Sequence, residues 1–228
     1  TKSVTTLVLT SSLPKEGKTL TNILLAKTLA DMGIKVLLID SDLRKPQVHY
    51  RLGLNNLKGF SNLLIDPEMQ IKDVINKIEN YDTWSVITGG TIPPDPARLL
   101  GSKRFKNLIE EMKNSGEYEI ILFDSPPLLG LADSLLISEA VDGLLLLIGL
   151  GAVDRSLPKE AINKIKSLGI NFYGLVTNQT KNDIGLLNKY GYSKYDGGYK
   201  NYGYTNTYYP ISTYQNYNPK VDDKDASL

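Results

Sequence analysis

Ser11-Ser12-Leu13-Pro14-Lys15-Glu16-Gly17-Lys18-Thr19 lies between an apolar, β-rich run (Thr6 to Thr10) and a helical pattern (Leu20 to Met32). A strand, a loop ending in Gly-Lys-Thr and a helix start read together as a phosphate-binding loop. Gly17 lets the backbone wrap close to an anion, and successive N–H groups at a helix N-terminus point at phosphate oxygens. Lys18 can reach β- and γ-phosphates, and the Thr19 hydroxyl can ligate Mg²⁺. Ser12 stands where G-x-x-x-x-G-K-[ST] has its first glycine, so the pattern is imperfect. The bland alternative is a Ser/Pro/Gly turn; the flanking strand and helix argue against it.

Outward from the loop, apolar runs alternate with helical patterns. Leu7–Thr10, Lys35–Ile39, Ser85–Thr88, Glu119–Phe123, Gly143–Ile148 and Asn171–Thr177 read as buried strands. Leu20–Met32, Pro96–Lys113, Asp133–Ala140 and Pro158–Ser167 read as helices, and Ile71–Ile78 carries a weaker helical period. Near-continuous apolar strands separated by helices imply an α/β fold. Its sheet would be mainly parallel and twisted, with helices on both faces. Ligands of such sheets bind at the carboxyl ends of the strands.

Two further motifs fall at strand ends. In Val36-Leu37-Leu38-Ile39-Asp40-Ser41-Asp42-Leu43-Arg44-Lys45-Pro46, alternate side chains of an extended chain share a face, so Asp40 and Asp42 can point together into the crevice. Such a pair can ligate Mg²⁺ or accept a proton; the plainer reading is an acidic turn capping a strand. Arg44 either touches phosphate or makes a structural salt bridge. In Ile120-Ile121-Leu122-Phe123-Asp124-Ser125-Pro126-Pro127, Asp124 ends a buried strand, as the Mg²⁺ partner of a phosphate loop does. The prolines stop the strand and stiffen the turn.

The 228 residues are 41% apolar and 22% charged, with a net charge of +1, so no electrostatic case exists for nucleic acid or an acidic membrane as partner. Cysteine is absent, which excludes disulfides and thiolate metal sites and fits a reducing compartment. The apolar run Gly143 to Val153 is shorter than the roughly 20 residues of a membrane span, and no signal peptide is visible. The chain begins directly at a strand, which leaves a trimmed upstream segment as an open expectation. His49 has no His or Cys partner and reads as a loop residue rather than a zinc ligand.

Composition then changes sharply. From Asn188 to Asn218 the chain is Tyr, Gly, Asn, Ser and Lys, and holds Tyr190, Tyr192, Tyr195, Tyr199, Tyr202, Tyr204, Tyr208, Tyr209, Tyr214 and Tyr217. With almost no aliphatic residues it cannot build a core, and it reads as solvated. The expected organisation is a phosphate-loop domain over residues 1–187 and a tyrosine-rich tail over 188–228. The tail is either an adhesive segment or a set of phosphate acceptors; the nucleotide motifs upstream favour acceptors.

Together, the SSLPKEGKT loop, the LLIDSDLRKP motif, the IILFDSPP motif and the tyrosine cluster resemble the bacterial tyrosine kinases of capsule and exopolysaccharide assembly. These are P-loop proteins of deviant Walker type. The resemblance extends to Thr88–Pro96 and to Gly174-Leu175-Val176-Thr177-Asn178, while the H-R-D and D-F-G signatures of eukaryotic kinases are absent.

The resemblance implies an ATP- and Mg²⁺-dependent protein-tyrosine kinase that autophosphorylates the tail in trans. In it, Ser12, Pro14, Lys15, Glu16, Gly17, Lys18, Thr19 and Leu20 would hold the nucleotide, with Asn178 reading adenine. Thr19, Asp42 and Asp124 would hold the metal. Lys18, Asp40 and Asp42 would be catalytic, with Asp40 as the base. The ten tail tyrosines would be the acceptors. It also implies a membrane-bound activator or polysaccharide co-polymerase, fused or separate, a cognate tyrosine phosphatase and a ring-like homo-oligomer. The expected location is the cytoplasm, at the inner face of the membrane through the activator.

The chain departs from the family pattern at Lys15 (usually Gly), Asp95 (often Asn) and Arg98 (often Glu), and it lacks the E-x-x-R-x-x-R helix that supports ring assembly. Two rival readings are a partition or septum-positioning ATPase and a non-catalytic ATP-bound scaffold. The first places a second lysine where this chain has Leu13.

Overall fold

In the computed structural model, which describes residues 6–179, one seven-stranded sheet carries helices on both faces. The elements in chain order are β1 (Thr6–Ser11), α1 (Lys18–Asp31), β2 (Val36–Asp40), α2 (Val48–Leu52), α3 (Phe60–Ile65), β3 (Ile75–Lys77) and β4 (Trp84–Ile87). They continue with α4 (Pro96–Leu100), α5 (Lys103–Asn114), β5 (Ile120–Asp124), α6 (Asp133–Ala140), β6 (Gly143–Leu150), α7 (Ser156–Ser167) and β7 (Phe172–Gln179). The strand order is β3-β4-β2-β5-β1-β6-β7. Every pairing is parallel except the antiparallel edge pair β3–β4.

The central strands are apolar throughout because both faces are covered. In β2, Leu37 and Ile39 join one core, while Val36 and Leu38 face the other with Ile23, Ala26 and Ala30 of α1. In β5, Ile121 and Phe123 fall on the first face and Leu122 on the second, as a period of two requires. The first core centres on Phe60, Phe105 and Phe123, whose rings meet edge-on at 6.0–6.5 Å. Truncating any of these to Ala should cost about 3–5 kcal/mol. Helix α5 buries Phe105, Leu108, Ile109 and Met112, one stripe at helical spacing.

Two expected elements are corrected. Pro96–Lys113 is not one helix. Gly101 ends α4, and the Ser102 hydroxyl accepts from Phe105 N (3.1 Å) to start α5. Ile71–Ile78 is not a helix either: a 3₁₀ turn (Ile71–Asp73) leads into β3, which pairs with β4. Its β-branched residues satisfy a helical period by spacing alone, but they suit an extended edge better. Helices α2 and α3 had no sequence counterpart. The tail tyrosines and the expected boundary at residue 187 lie outside the described residues.

Register places the site. In the order β2-β5-β1, Asp40 sits beside Asp124, and Asp124 beside Leu9, two residues before β1 ends. The loop after β1, the turn after β2 and the turn after β5 therefore share one end of the sheet, on strands about 4.8 Å apart.

Candidate nucleotide and phosphoryl-transfer site

The phosphate loop crosses from β1 to α1. Gly17 precedes α1 with φ +102°, and a Cβ there would lie 2.3 Å from the Asn178 amide nitrogen. Both the left-handed backbone and the contact require glycine. No side chain caps α1, so its first N–H groups remain directed into the loop. Lys15 is also left-handed (φ 69°), a conformation that costs a residue with a Cβ roughly 1–2 kcal/mol. The chain thus keeps the backbone of a glycine at a position where it carries lysine.

Glu16 holds this loop in shape. Its fully buried carboxylate accepts from Leu13 N (2.6 Å) across the loop and from Gly149 N (2.8 Å) on β6. Its carbonyl accepts from the Asn178 side chain (2.9 Å) at the end of β7. Glu16, expected to touch a nucleotide, therefore offers a ligand only its backbone. Pro14, Lys15 and Leu20 are exposed, whereas Ser12 and Lys18 are buried. The turn after β5 supports the loop from below: Leu128 N and Leu129 N donate to Ser11 and Ser12 carbonyls (2.8 and 3.2 Å).

Around the strand ends Lys18 faces several carboxylates, and the charge of Arg51 also bears on Asp124. Burial holds Lys18 below its ordinary pKa, opposed by the charges of Asp124, Asp42 and Glu16. Asp124 is buried and receives hydrogen bonds from Asn22 Nδ2 (3.0 Å) and the Thr19 hydroxyl; desolvation still leaves it above the usual carboxylate range. Asp42 is pushed up to about 6, first by burial and then by Asp124. Asp40 is fully buried and raised well above its ordinary value by desolvation and the neighbouring Asp124. Its Oδ2 accepts from Gln47 N and Val48 N (both 2.9 Å), so the same carboxylate that lines the site caps α2. Its Oδ1 has no protein partner.

Arg44 makes the structural salt bridge rather than a free phosphate contact. Its Nε and Nη2 donate to Asp133 Oδ2 and Oδ1 (2.7 and 3.0 Å), and the Asp133 side chain is fully buried at the start of α6. Sequence reading missed Asn22, Asp133 and the stapling role of Glu16. Asn22 was the most accessible of these, since it lies four residues after Lys18 on the same helix face.

The fit to a metal–nucleotide complex rests on three buried polar atoms without protein partners: Ser12 Oγ, Asn22 Oδ1 and Asp40 Oδ1. Each such atom costs about 1–3 kcal/mol if left unpaired, so their clustering at one strand-end crevice suits a polar ligand. Among the described residues, no three His, Cys, Asp or Glu groups converge to hold a metal ion. A hard divalent cation here would therefore share its shell between a few protein oxygens, water and phosphate, as Mg²⁺ commonly does.

The raised pKa of Asp42 carries a stability prediction. A carboxylate raised in the folded state contributes stability that is fully present below its unfolded pKa near 3.8. That contribution is lost as pH rises through about 6. In Mg²⁺-free protein, Asp42→Asn should be more stable than wild type at pH 8, by at most roughly 3 kcal/mol, with the gap closing near pH 4. Urea denaturation at both pH values measures it; an equal gap at pH 4 and 8 would contradict the assignment.

A left-handed loop wrapped on a helix N-terminus, a buried lysine, and aspartates closing two adjacent parallel strands define a P-loop nucleotide-binding protein. A family profile described as an AAA domain matches residues 15–150, more than half the chain. Tyrosine-protein kinase YwqD of Bacillus subtilis is 34% identical over 191 residues, covering 84% of this chain and 78% of the relative. Tyrosine-protein kinase CpsD of Streptococcus agalactiae is 32% identical over 192 residues, covering 83% and 82%. The solved kinase domain of VpsO superposes with a TM-score of 0.73 at 32% identity, over 78% of this chain and 86% of that one. The chain belongs to the bacterial tyrosine-protein kinases. MinD of Aquifex aeolicus, in complex with MinC, superposes with a TM-score of 0.66 at 23% identity over 82% and 72%; that likeness is one of fold alone. Among the described residues no helix is long and apolar enough to cross a membrane.

Proposed function

We propose that the chain transfers the γ-phosphoryl group of ATP to tyrosines of its own C-terminal cluster, Tyr190 to Tyr217, in trans. The observation that carries this reading is Asp40 Oδ1: a buried carboxylate oxygen without a protein partner, beside Asp124, at the strand ends that frame the phosphate loop. A tyrosine phenol, with pKa about 10, is a weak nucleophile until its proton has somewhere to go. In the proposed step the phenolic oxygen bonds to the γ-phosphorus and the bond to the β–γ bridging oxygen breaks. ADP leaves, and the proton passes to Asp40 Oδ1. The burial that raises the pKa of Asp40 also makes its ionised form a stronger base.

Lys18, buried within the field of Asp124, Asp42 and Glu16, would neutralise charge on the transferred group. Asn178, fixed at the end of β7, would offer its remaining amide capacity to the adenine edge. Thr19, Asp42 and Asp124 would hold Mg²⁺, which supplies charge to the β- and γ-phosphate oxygens. The membrane-bound activator, the phosphatase, the ring-like homo-oligomer, the place at the inner membrane face and the role in capsule or exopolysaccharide synthesis belong to this same reading. They are supported by membership of the family.

Incubation with Mg·ATP, followed by anti-phosphotyrosine detection and mass spectrometry of residues 188–228, tests it. Phosphate on the tail is expected; ATP hydrolysis without phosphotyrosine would favour a partition-type ATPase, and neither would favour a scaffold. Asp42→Asn and Asp124→Asn should each raise the Mg²⁺ concentration for half-maximal activity about tenfold or more, on the scale at which losing support of a metal site weakens it. Activity titrated against Mg²⁺ reads the shift, and an unchanged midpoint in both variants would remove them from the metal site.

A further inference from the structure

Beside the proposed catalytic carboxylate lies a groove of about 450 Å³ that the phosphoryl-transfer reading does not use. One wall is the start of α2, with Pro46, His49 and Tyr50; the other is the loop after β4, with Ile92 at its tip. We propose that this groove is a second tyrosine subsite. In this role it would grip one tyrosine of segment 188–228 while another, a few residues away, meets Asp40. The inference rests on the kinase reading for the identity of its occupant.

The groove is welded to the site. Asp40 Oδ2 holds the backbone of Gln47 and Val48, which begins the α2 wall. A Cβ at Gly89 would lie 2.5 Å from Pro46 Cβ and 3.7 Å from Asp40 Cγ, so the wall and the carboxylate press on one stretch of backbone. The opposite wall is fixed by hydrogen bonds. Asn56 Nδ2 donates to Gly90 O (2.9 Å) and Asn56 Oδ1 accepts from Gly90 N (2.8 Å), while the Ser61 hydroxyl donates to Thr91 O (2.6 Å). A rigid loop therefore holds Ile92 67% exposed, across from Tyr50 at 53%. Large apolar side chains held out on both sides of a groove offer a slot for a flat ring. In its wall, His49 Nδ1 is buried without a hydrogen-bond partner. Burial lowers the pKa of His49, which favours the neutral ring, a form with one donor and one acceptor nitrogen.

The occupant follows from the sequence. Each of the ten tyrosines from Tyr190 to Tyr217 has another within three positions. On an extended chain that spacing is at most about 10 Å, the scale that separates adjacent subsites. Arg44 and Lys45 also line the groove, with Arg44 already paired to Asp133, and the tyrosine-bearing stretch supplies the flat rings that fit between Tyr50 and Ile92. Tyrosine clustering then has a physical purpose: every acceptor brings its own anchor.

The test uses the full chain and peptides of residues 199–207, Tyr-Lys-Asn-Tyr-Gly-Tyr-Thr-Asn-Thr. The first peptide keeps Tyr199, Tyr202 and Tyr204. The second carries Tyr199→Ala and Tyr202→Ala, and the third carries Tyr199→Phe and Tyr202→Phe. Fluorescence anisotropy with Lys18→Met protein reads binding without chemistry. The Ala peptide should bind at least tenfold more weakly than the parent, and the Phe peptide two- to fivefold more weakly. Ile92→Asp and Tyr50→Ala should each weaken the parent peptide about tenfold and erase its advantage over the Ala peptide, with Mg·ADP affinity unchanged. In the active enzyme the same changes should appear in KM for peptide rather than in kcat.

Equal affinity of the parent and Ala peptides, or an Ile92→Asp protein that binds both as wild type does, overturns the subsite. Ile92→Asp lowering the molar mass in light scattering with no change in peptide affinity would make this face a contact between copies, and overturns it too. If wild-type protein phosphorylates nothing yet discriminates the peptides as stated, the groove stands and the kinase reading falls.

Discussion

Lys18→Met should abolish phosphotyrosine formation, by a factor on the order of 10³ or more, while the protein remains folded. The lysine is buried among Asp124, Asp42 and Glu16, so its ammonium already sits desolvated where charge on a transferred phosphoryl group would develop. Methionine keeps length and apolar volume but removes the charge. It also removes a cation whose desolvation outweighs the attraction of the carboxylates around it, so the thermal midpoint should not fall sharply. Phosphotyrosine blotting and circular dichroism on the same sample measure both halves. Activity within tenfold of wild type would withdraw Lys18 from the chemistry.

Asp40→Asn and Asp40→Ala should both lose activity, by roughly 10²–10⁴-fold, but should differ in stability. The carboxylate has two jobs, one on each oxygen. Oδ2 caps α2 through Gln47 N and Val48 N, and Oδ1 is left for the proposed proton transfer. Asparagine retains an oxygen for the cap and loses the base. Alanine loses both and leaves the buried Val48 N–H and the part-buried Gln47 N–H unpaired, a cost of about 1–3 kcal/mol. Chemical denaturation of the two variants separates the roles; equal stabilities would mean that the cap contributes nothing. The Asn variant should leave the Mg²⁺ requirement nearly unchanged, in contrast to Asp42→Asn and Asp124→Asn.

The fold was legible because buried parallel strands advertise themselves. Val36 to Asp40 and Ile120 to Asp124 are apolar until their last residue, and the aspartate marks where each strand leaves the core. What the sequence concealed lies in long-range pairings. Glu16 reads as a loop residue until β6 brings Gly149 to its carboxylate, 133 positions away. Arg44 keeps two readings open until Asp133 appears 89 positions on. Short α2 shows no helical period because Asp40, eight residues before Val48, supplies its cap from a neighbouring strand. The edge strand β3 was misread for a related reason: Ile75 to Lys77 is extended only because β4 is there to pair with. Local periodicity reports a helix or strand that would form from its own pattern; these elements form from contacts made elsewhere.

The contact between Asn178 and the Glu16 carbonyl ties the last described strand to the phosphate loop, one residue before Gln179. Tyr190 follows at an extended reach of at most about 40 Å. On the proposed chemistry in trans, every acceptor in the tail is leashed within an assembly whose neighbouring catalytic crevices lie inside that reach. A leash of this length confers a local concentration in the millimolar range. A free protein substrate present at micromolar levels competes poorly against that. Phosphorylation is thereby ordered in time: the tails of the assembled copies are served first, and outside substrates only as those are filled.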